Sequence, residues 1–133
     1  MPADFDGDDK ADLAVFHPAS GNWYIQTLSG TLLAWNLAWG YSGVIPALAD
    51  YDGNGKTDIA VFDPASGLWY IRTVAGEVLA WGLDFQVSGA IPASADYDGD
   101  GRAEAGLYSP SDGVFSYREW DGSGGVSNKP LGV

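Results

Sequence analysis

The chain has 133 residues, 46% hydrophobic and 14% aromatic, which suits one domain with a substantial core. Its formal charge of −12 argues against nucleic acid or an anionic membrane as partner, and the absence of cysteine excludes a disulfide framework and thiolate chemistry. The 19 glycines and 7 prolines argue for short strands and turns rather than long helices, and no apolar run reaches the ~18 residues needed to span a bilayer.

Read from the start, Met1-Pro2-Ala3-Asp4 runs directly into an acidic loop, with no signal-peptide pattern; a secreted parent would carry its leader upstream of this stretch. The acidic loop Asp4–Asp12 recurs as Asp50–Asp58 and Asp96–Glu104, each copy starting 46 residues after the last. A period of this length takes precedence over any single element. After each loop comes a strand-like run: Leu13-Ala14-Val15-Phe16, Ile59-Ala60-Val61-Phe62 and Ala105-Gly106-Leu107-Tyr108. Each run ends in a proline-to-glycine turn, at His17–Gly21, Asp63–Gly67 and Ser109–Gly113. Aromatic strands follow at Trp23–Thr27, Trp69–Thr73 and Phe115–Arg118. Further runs are Leu32–Trp35 and Val78–Trp81, then Gly43–Ala47 and Gly89–Ala93, which lead into the next loop. Four short strands per 46 residues predict an all-β protein built as a β-propeller of four-stranded antiparallel blades, three blades in this chain. The repeats divide at approximately 1–43, 44–89 and 90–133. The third is the least regular, with a glycine- and serine-rich stretch from Trp120 to Asn128. Pro130-Leu131-Gly132-Val133 resembles the start of the segment whose end Met1–Asp4 resembles, so the two chain ends are expected to complete a shared strand.

The loops carry 12 of the 18 acidic residues: five in the first, three in the second and four in the third. Carboxylates this dense repel one another unless a cation sits among them. The side-chain oxygens alternate: Asp4, Asp6, Asp8 and Asp12; Asp50, Asp52, Asn54 and Asp58; Asp96, Asp98, Asp100 and Glu104. Lys10, Lys56 and Arg102 sit where only a backbone carbonyl can contribute. Oxygen donors in this pattern suit a hard cation with six to eight ligands, so Ca²⁺ is expected, about three per chain. Zinc is disfavoured by the absence of cysteine and a single histidine. An EF-hand needs a glutamate at position 12 and flanking helices; here that position holds Val15, Val61 and Leu107. The first loop departs from the others by carrying Asp9 where glycine is expected.

The unit Asp50–Phe62 followed by Pro64-Ala65-Ser66-Gly67 and Trp69-Tyr70-Ile71 resembles the FG-GAP/VCBS repeat. That repeat is known from integrin α-subunit propellers, bacterial surface and secreted proteins, and a fungal lectin. The resemblance implies that each calcium loop joins the innermost strand of a blade to the second. It would place Ala47-Leu48-Ala49 innermost, Ile59–Phe62 second, Trp69–Thr73 third and Val78–Trp81 outermost. It also implies an extracellular or cell-surface setting. The family usually builds seven blades, and three cannot close a ring. Oligomerisation is therefore expected, with a homodimer of six blades favoured.

His17, the lone histidine, reads as a turn residue, and no spacing suggests a nucleophilic triad or paired glycosidase carboxylates. Acids outside the loops, Glu119 among them, read as turn or edge residues. The protein is therefore read as non-catalytic. Periodic aromatics read first as blade packing and second as stacking platforms for sugar rings. On the second reading Trp23, Trp39, Trp69 and Phe85 are candidate ligand-binding residues, and Trp35 and Trp81 fit either role. The functional expectation is a lectin-like module binding carbohydrate or another surface ligand. The alternative is a structural, self-assembling blade fragment or engineered repeat that only binds calcium, although the differences between repeats suggest natural drift.

Overall fold

The computed structural model describes residues 2–85, 87, 89–121 and 126–130, the last five and Pro2 by backbone alone. Among these residues there is no helix; twelve strands form three antiparallel sheets of four. The first sheet is β1 (Pro2–Ala3), β2 (Asp12–His17), β3 (Asn22–Gln26) and β4 (Leu32–Ala38) in spatial order. The second is β5 (Ile45–Pro46), β6 (Ile59–Asp63), β7 (Leu68–Arg72) and β8 (Val78–Asp84). The third is β9 (Ile91–Pro92), β10 (Ala105–Ser109), β11 (Val114–Arg118) and β12 (Val126–Pro130). Each is a meander in which every strand pairs with its chain neighbour, as expected of strands joined by short turns.

Local chemistry explains the register. The proline-to-glycine turns close with Gly21 N–H donating to His17 C=O and Gly67 N–H to Asp63 C=O, both at 2.8 Å. This aligns Phe16 with Trp23 and Phe62 with Trp69, whose rings pack at 5.0 and 5.2 Å. His17 is a turn residue in the structure, its Nδ1 2.8 Å from Ser20 Oγ. Both outer strands are irregular at equivalent places. Asn36 adopts φ 56° where the second sheet has Gly82 at φ 78°, and the side-chain oxygen of Asn36 accepts from Asn22 Nδ2 and Tyr24 Oη at 2.8 and 2.9 Å.

Two cores lie between the sheets, and alternation along the strands determines which residues enter which. Ala14, Trp23, Ile25, Trp39 and Phe5 of the first repeat meet Ile59 and Val61 of the second. On the opposite face of the second sheet, Ala60, Phe62, Trp69, Ile71 and Tyr51 meet Ala105 and Leu107 of the third. The second sheet is thus apolar on both faces, as its uninterrupted Ile59–Phe62 run requires.

One expectation is extended, one falls partly outside the described residues, and one needs correction. The innermost strand of the second sheet is Ile45–Pro46, paired with Phe62 and Val61; Ala49 adds an isolated bridge to Asp58. Beyond Pro46 the pairing continues in the same register, with Ala47 N–H donating to Ala60 C=O at 2.9 Å and Asp58 N–H to Ala49 C=O at 2.8 Å, so the expected Ala47–Ala49 extends this inner edge. Of the chain ends, expected to complete a shared strand, only part is described. Pro2–Ala3 is itself the inner strand of the first sheet, and Pro130 pairs with Val114 at the end of the outer strand of the third. Met1 and Leu131–Val133, invoked in that expectation, lie outside the described residues. Finally, Glu119 is a buried group at the end of β11, not a turn or edge residue.

Candidate metal loops and an aromatic groove

Each acidic loop links the inner end of its sheet to the second strand. Its shape comes from aspartates accepting backbone N–H groups, a local bonding habit that competes with regular structure. Asp4 accepts from Gly7, Asp8 and Asp9 at 2.6, 3.2 and 2.8 Å. Asp50 accepts from Gly53, Asn54 and Gly55 at 2.9, 3.2 and 2.8 Å. Asp96 accepts from Gly99 and Gly101 at 2.8 and 2.9 Å. The fifth position caps the seventh: Asp8, Asn54 and Asp100 each accept from Lys10, Lys56 and Arg102 respectively at 2.9 Å. The ninth reaches back to the second: Asp12, Asp58 and Glu104 accept from Phe5, Tyr51 and Tyr97 at 2.8, 2.8 and 2.6 Å.

This wiring draws the acids together. Carboxylate oxygens of Asp96, Asp98, Asp100 and Glu104 lie within 4.8 Å of one another, as do those of Asp50, Asp52 and Asp58, and those of Asp4, Asp6 and Asp8. Asp12 does not join its cluster, although its counterparts Asp58 and Glu104 do. At such separations two carboxylates repel by roughly 3–4 kcal/mol at an effective dielectric of ~20. Burial pushes the Asp58 carboxyl up to about 7, with the charges of Asp52 and Asp50 adding to the rise. Burial also raises Glu104, helped by Asp98 and Asp100. Glu104 Oε1 is buried with no hydrogen-bond donor. An all-oxygen donor set with an orphaned buried carboxylate oxygen fits a hard divalent cation.

Neighbouring loops are also joined. Thr57 N–H donates to Asp4 C=O at 2.7 Å, and Ala103 N–H to Asp50 C=O at 2.8 Å. The aliphatic stems of Lys56 and Arg102 lie over Gly7 and Gly53, where a Cβ would come within 3.3 and 2.7 Å of Cγ. Arg102 also pairs with Asp100 and Glu119 at 3.5 Å and with Asp121 at 3.9 Å. Burial lifts the Glu119 carboxyl to about 8 despite that cation, with Asp100 adding to the rise. Only the period hinted at Glu119: it occupies the place of Thr27 and Thr73.

The aromatic candidates divide. Trp23 and Trp69 have no exposed surface and are core residues, which corrects their assignment as stacking platforms. Alternation aims both side chains into an inter-sheet core, where the Trp23 indole N–H donates to Trp39 C=O at 2.8 Å. Phe85 is half-buried, with the Arg118 guanidinium 4.7 Å from its ring and Trp69 at 6.3 Å. Trp39 is largely buried but forms the floor of a groove of about 410 Å³ with Tyr41, Tyr70, Arg72 and Trp81. The rings of Trp39 and Tyr70 stand at 5.5 and 5.0 Å from that of Trp81, which is 73% exposed. Arg72 lies 5.5 Å over Trp39, and Tyr41 donates its hydroxyl to Asp63 at 2.6 Å. Tyr41 and Arg72 were not among the sequence candidates; Tyr41 has Val87 as its counterpart, so periodicity hides it, whereas Arg72 recurs as Arg118 and is replaced by Gln26 only in the first repeat.

All-β sheets of four antiparallel strands, each opened by an acidic loop, define a β-propeller-like repeat protein. Residues 4–61 match the family model of the FG-GAP-like repeat. The match runs from the first loop through the second into β6. Comparison with curated proteins and with solved structures returned no match. Repeats of this kind typically form non-catalytic, propeller-type binding modules of extracellular or surface proteins. No helix among the described residues is long and apolar enough to cross a membrane.

Proposed function

We propose that the protein is a non-catalytic, calcium-stabilised propeller module that binds carbohydrate, as a lectin does, in the groove between its first two sheets. The observation that carries the binding reading is the groove itself. An exposed tryptophan stands beside Tyr70 and the Arg72 guanidinium over a tryptophan floor. Aromatic faces suit the apolar C–H face of a pyranose, and the guanidinium and tyrosine hydroxyl suit its hydroxyl groups. Calcium would be held by Asp50, Asp52, Asn54 and Asp58, by Asp96, Asp98, Asp100 and Glu104, and by Asp4, Asp6 and Asp8. Its role is to neutralise the clustered acids and hold the loops, and hence the sheets they join. Closure into a ring with further copies belongs to the same reading.

A glycan array probed with wild type and with Trp81→Ala tests the sugar reading. Binding to a defined glycan, reduced at least tenfold in the variant, is the expected result. The absence of binding across a broad array would remove the lectin reading and leave the structural alternative, a self-assembling calcium-binding repeat. Calcium is tested separately by isothermal titration of chelator-stripped protein. Heat and stoichiometry unchanged in Asp52→Asn and Glu104→Gln would refute the assigned loops.

A further inference from the structure

The 46-residue period lets each junction between sheets be compared with the two open ends of the stack. Ile59 and Val61 have no exposed surface, because the first sheet covers them. Their counterparts Leu13 and Val15 are 50% and 60% exposed. Together with Tyr24, Ile25, Gln26 and Trp35 they line an apolar hollow of about 290 Å³ on the outer face of the first sheet. At the other end, Tyr51 is fully buried between the second and third sheets, whereas its counterpart Tyr97 is 43% exposed. Tyr97, Phe115 and Tyr117 form a cluster there with ring centroids 5.0–5.8 Å apart.

The polar ladder between loops has matching loose ends. Thr57 and Ala103 donate their N–H groups to the first residue of the preceding loop. Ala11 stands at the same loop position as these donors, and Asp96 at the position of the acceptors Asp4 and Asp50. Neither the Ala11 N–H nor the Asp96 C=O has a backbone partner among the described residues. Lys10 occupies the place of Lys56 and Arg102, which lie over the preceding loop. A loop set against it in the same way as the internal pairs would be the acid-rich third one.

We propose that a second copy of this chain seats its third sheet on the first sheet of its neighbour, in the register of the two internal junctions. Ala11 N–H would then donate to the partner copy's third loop, with Lys10 over the acids of that loop and Leu13 and Val15 under its aromatic cluster. A second copy is the occupant because the two open faces are the two halves of one contact already made twice within the chain. The cationic stem and the acidic loop add charge complementarity. Two copies related by a two-fold axis make this contact twice and leave neither face open, closing six blades. The inference rests on the propeller reading above, but on neither the sugar nor the cation.

Light scattering after size exclusion, with the full chain at physiological ionic strength, reads the outcome directly. Wild type is expected at twice the chain mass, and Val15→Glu at the single chain mass with an unchanged circular dichroism spectrum. A wild-type monomer, or a pair that Val15→Glu leaves intact, overturns the proposal. Should that variant fail to fold, zero-length amine–carboxyl cross-linking of wild type decides. Lys10 joined to an acid of the Asp96–Glu104 loop between chains is expected, and a cross-linked pair lacking that link overturns the proposal. A pair that takes up neither calcium nor glycan would remove the proposed function and leave this interface standing. A calcium-loaded, glycan-binding monomer would do the reverse.

Discussion

Gly21 closes the turn between β2 and β3 at φ 76°, and Gly30 lies between β3 and β4 at φ 97°. Replacement by alanine imposes the same left-handed backbone on a side chain at both sites, a cost of about 1–2 kcal/mol. The surroundings differ. A Cβ at Gly30 meets nothing within 4 Å, whereas one at Gly21 would lie 2.1 Å from Gly40 C=O and 2.9 Å from Tyr41 N. Those atoms are backbone and cannot rotate away, so the connection after β4 must move by more than an ångström. That connection is held by Trp39 N–H donating to Gly21 C=O at 3.0 Å and by the Trp23 indole N–H donating to Trp39 C=O at 2.8 Å. Losing both costs roughly 1 kcal/mol each, and the second leaves a buried donor unpaired, adding about 1–3 kcal/mol. Gly21→Ala should therefore destabilise by about 4–7 kcal/mol and Gly30→Ala by about 1–2 kcal/mol. Urea unfolding followed by tryptophan fluorescence, at one fixed protein concentration because assembly shifts apparent stability, measures the difference. Equal effects of the two substitutions would show that the Trp39 connection does not hold the junction as argued.

Two further predictions follow from the loops. Asp9 adopts φ 65° where the other loops use glycine, so Asp9→Gly should raise stability by about 1 kcal/mol, seen as a higher urea midpoint at unchanged slope. In chelator-stripped protein, Asp58 binds its proton more tightly folded, at about 7, than unfolded, where the ordinary value is 3.8. Stability should then be highest below about pH 4 for this group and fall as pH rises through about 7, by at most ~4 kcal/mol. Glu119, lifted to about 8, acts with the same sign. Saturating calcium should flatten or reverse the slope, since the bound ion favours the ionised acids. Stability of stripped protein rising between about pH 5 and about pH 8 would contradict the burial of these groups.

Much of this was legible in the residues themselves because repetition amplifies local signals. The acidic loops, the proline-to-glycine turns and the alternating strands each recur at 46 residues, and each is local chemistry: an aspartate accepting nearby N–H groups, or a strand burying every second residue. Such features need no knowledge of distant neighbours, so the all-β meander and the grouping of acids within each loop follow from sequence. What periodicity cannot supply is which side of a sheet is covered. Val15 and Val61 occupy the same position, yet one is exposed and the other buried, because only the second has a sheet on that side. For the same reason Trp23 and Trp69 pass from binding candidates to core, while Trp81 is left exposed over a tryptophan, a tyrosine and an arginine brought together from two repeats. The separation of Asp12 from its cluster and the burial of Glu119 are likewise outcomes of packing between elements. Burial and convergence are properties of neighbours in space, and only the tertiary structure decides them.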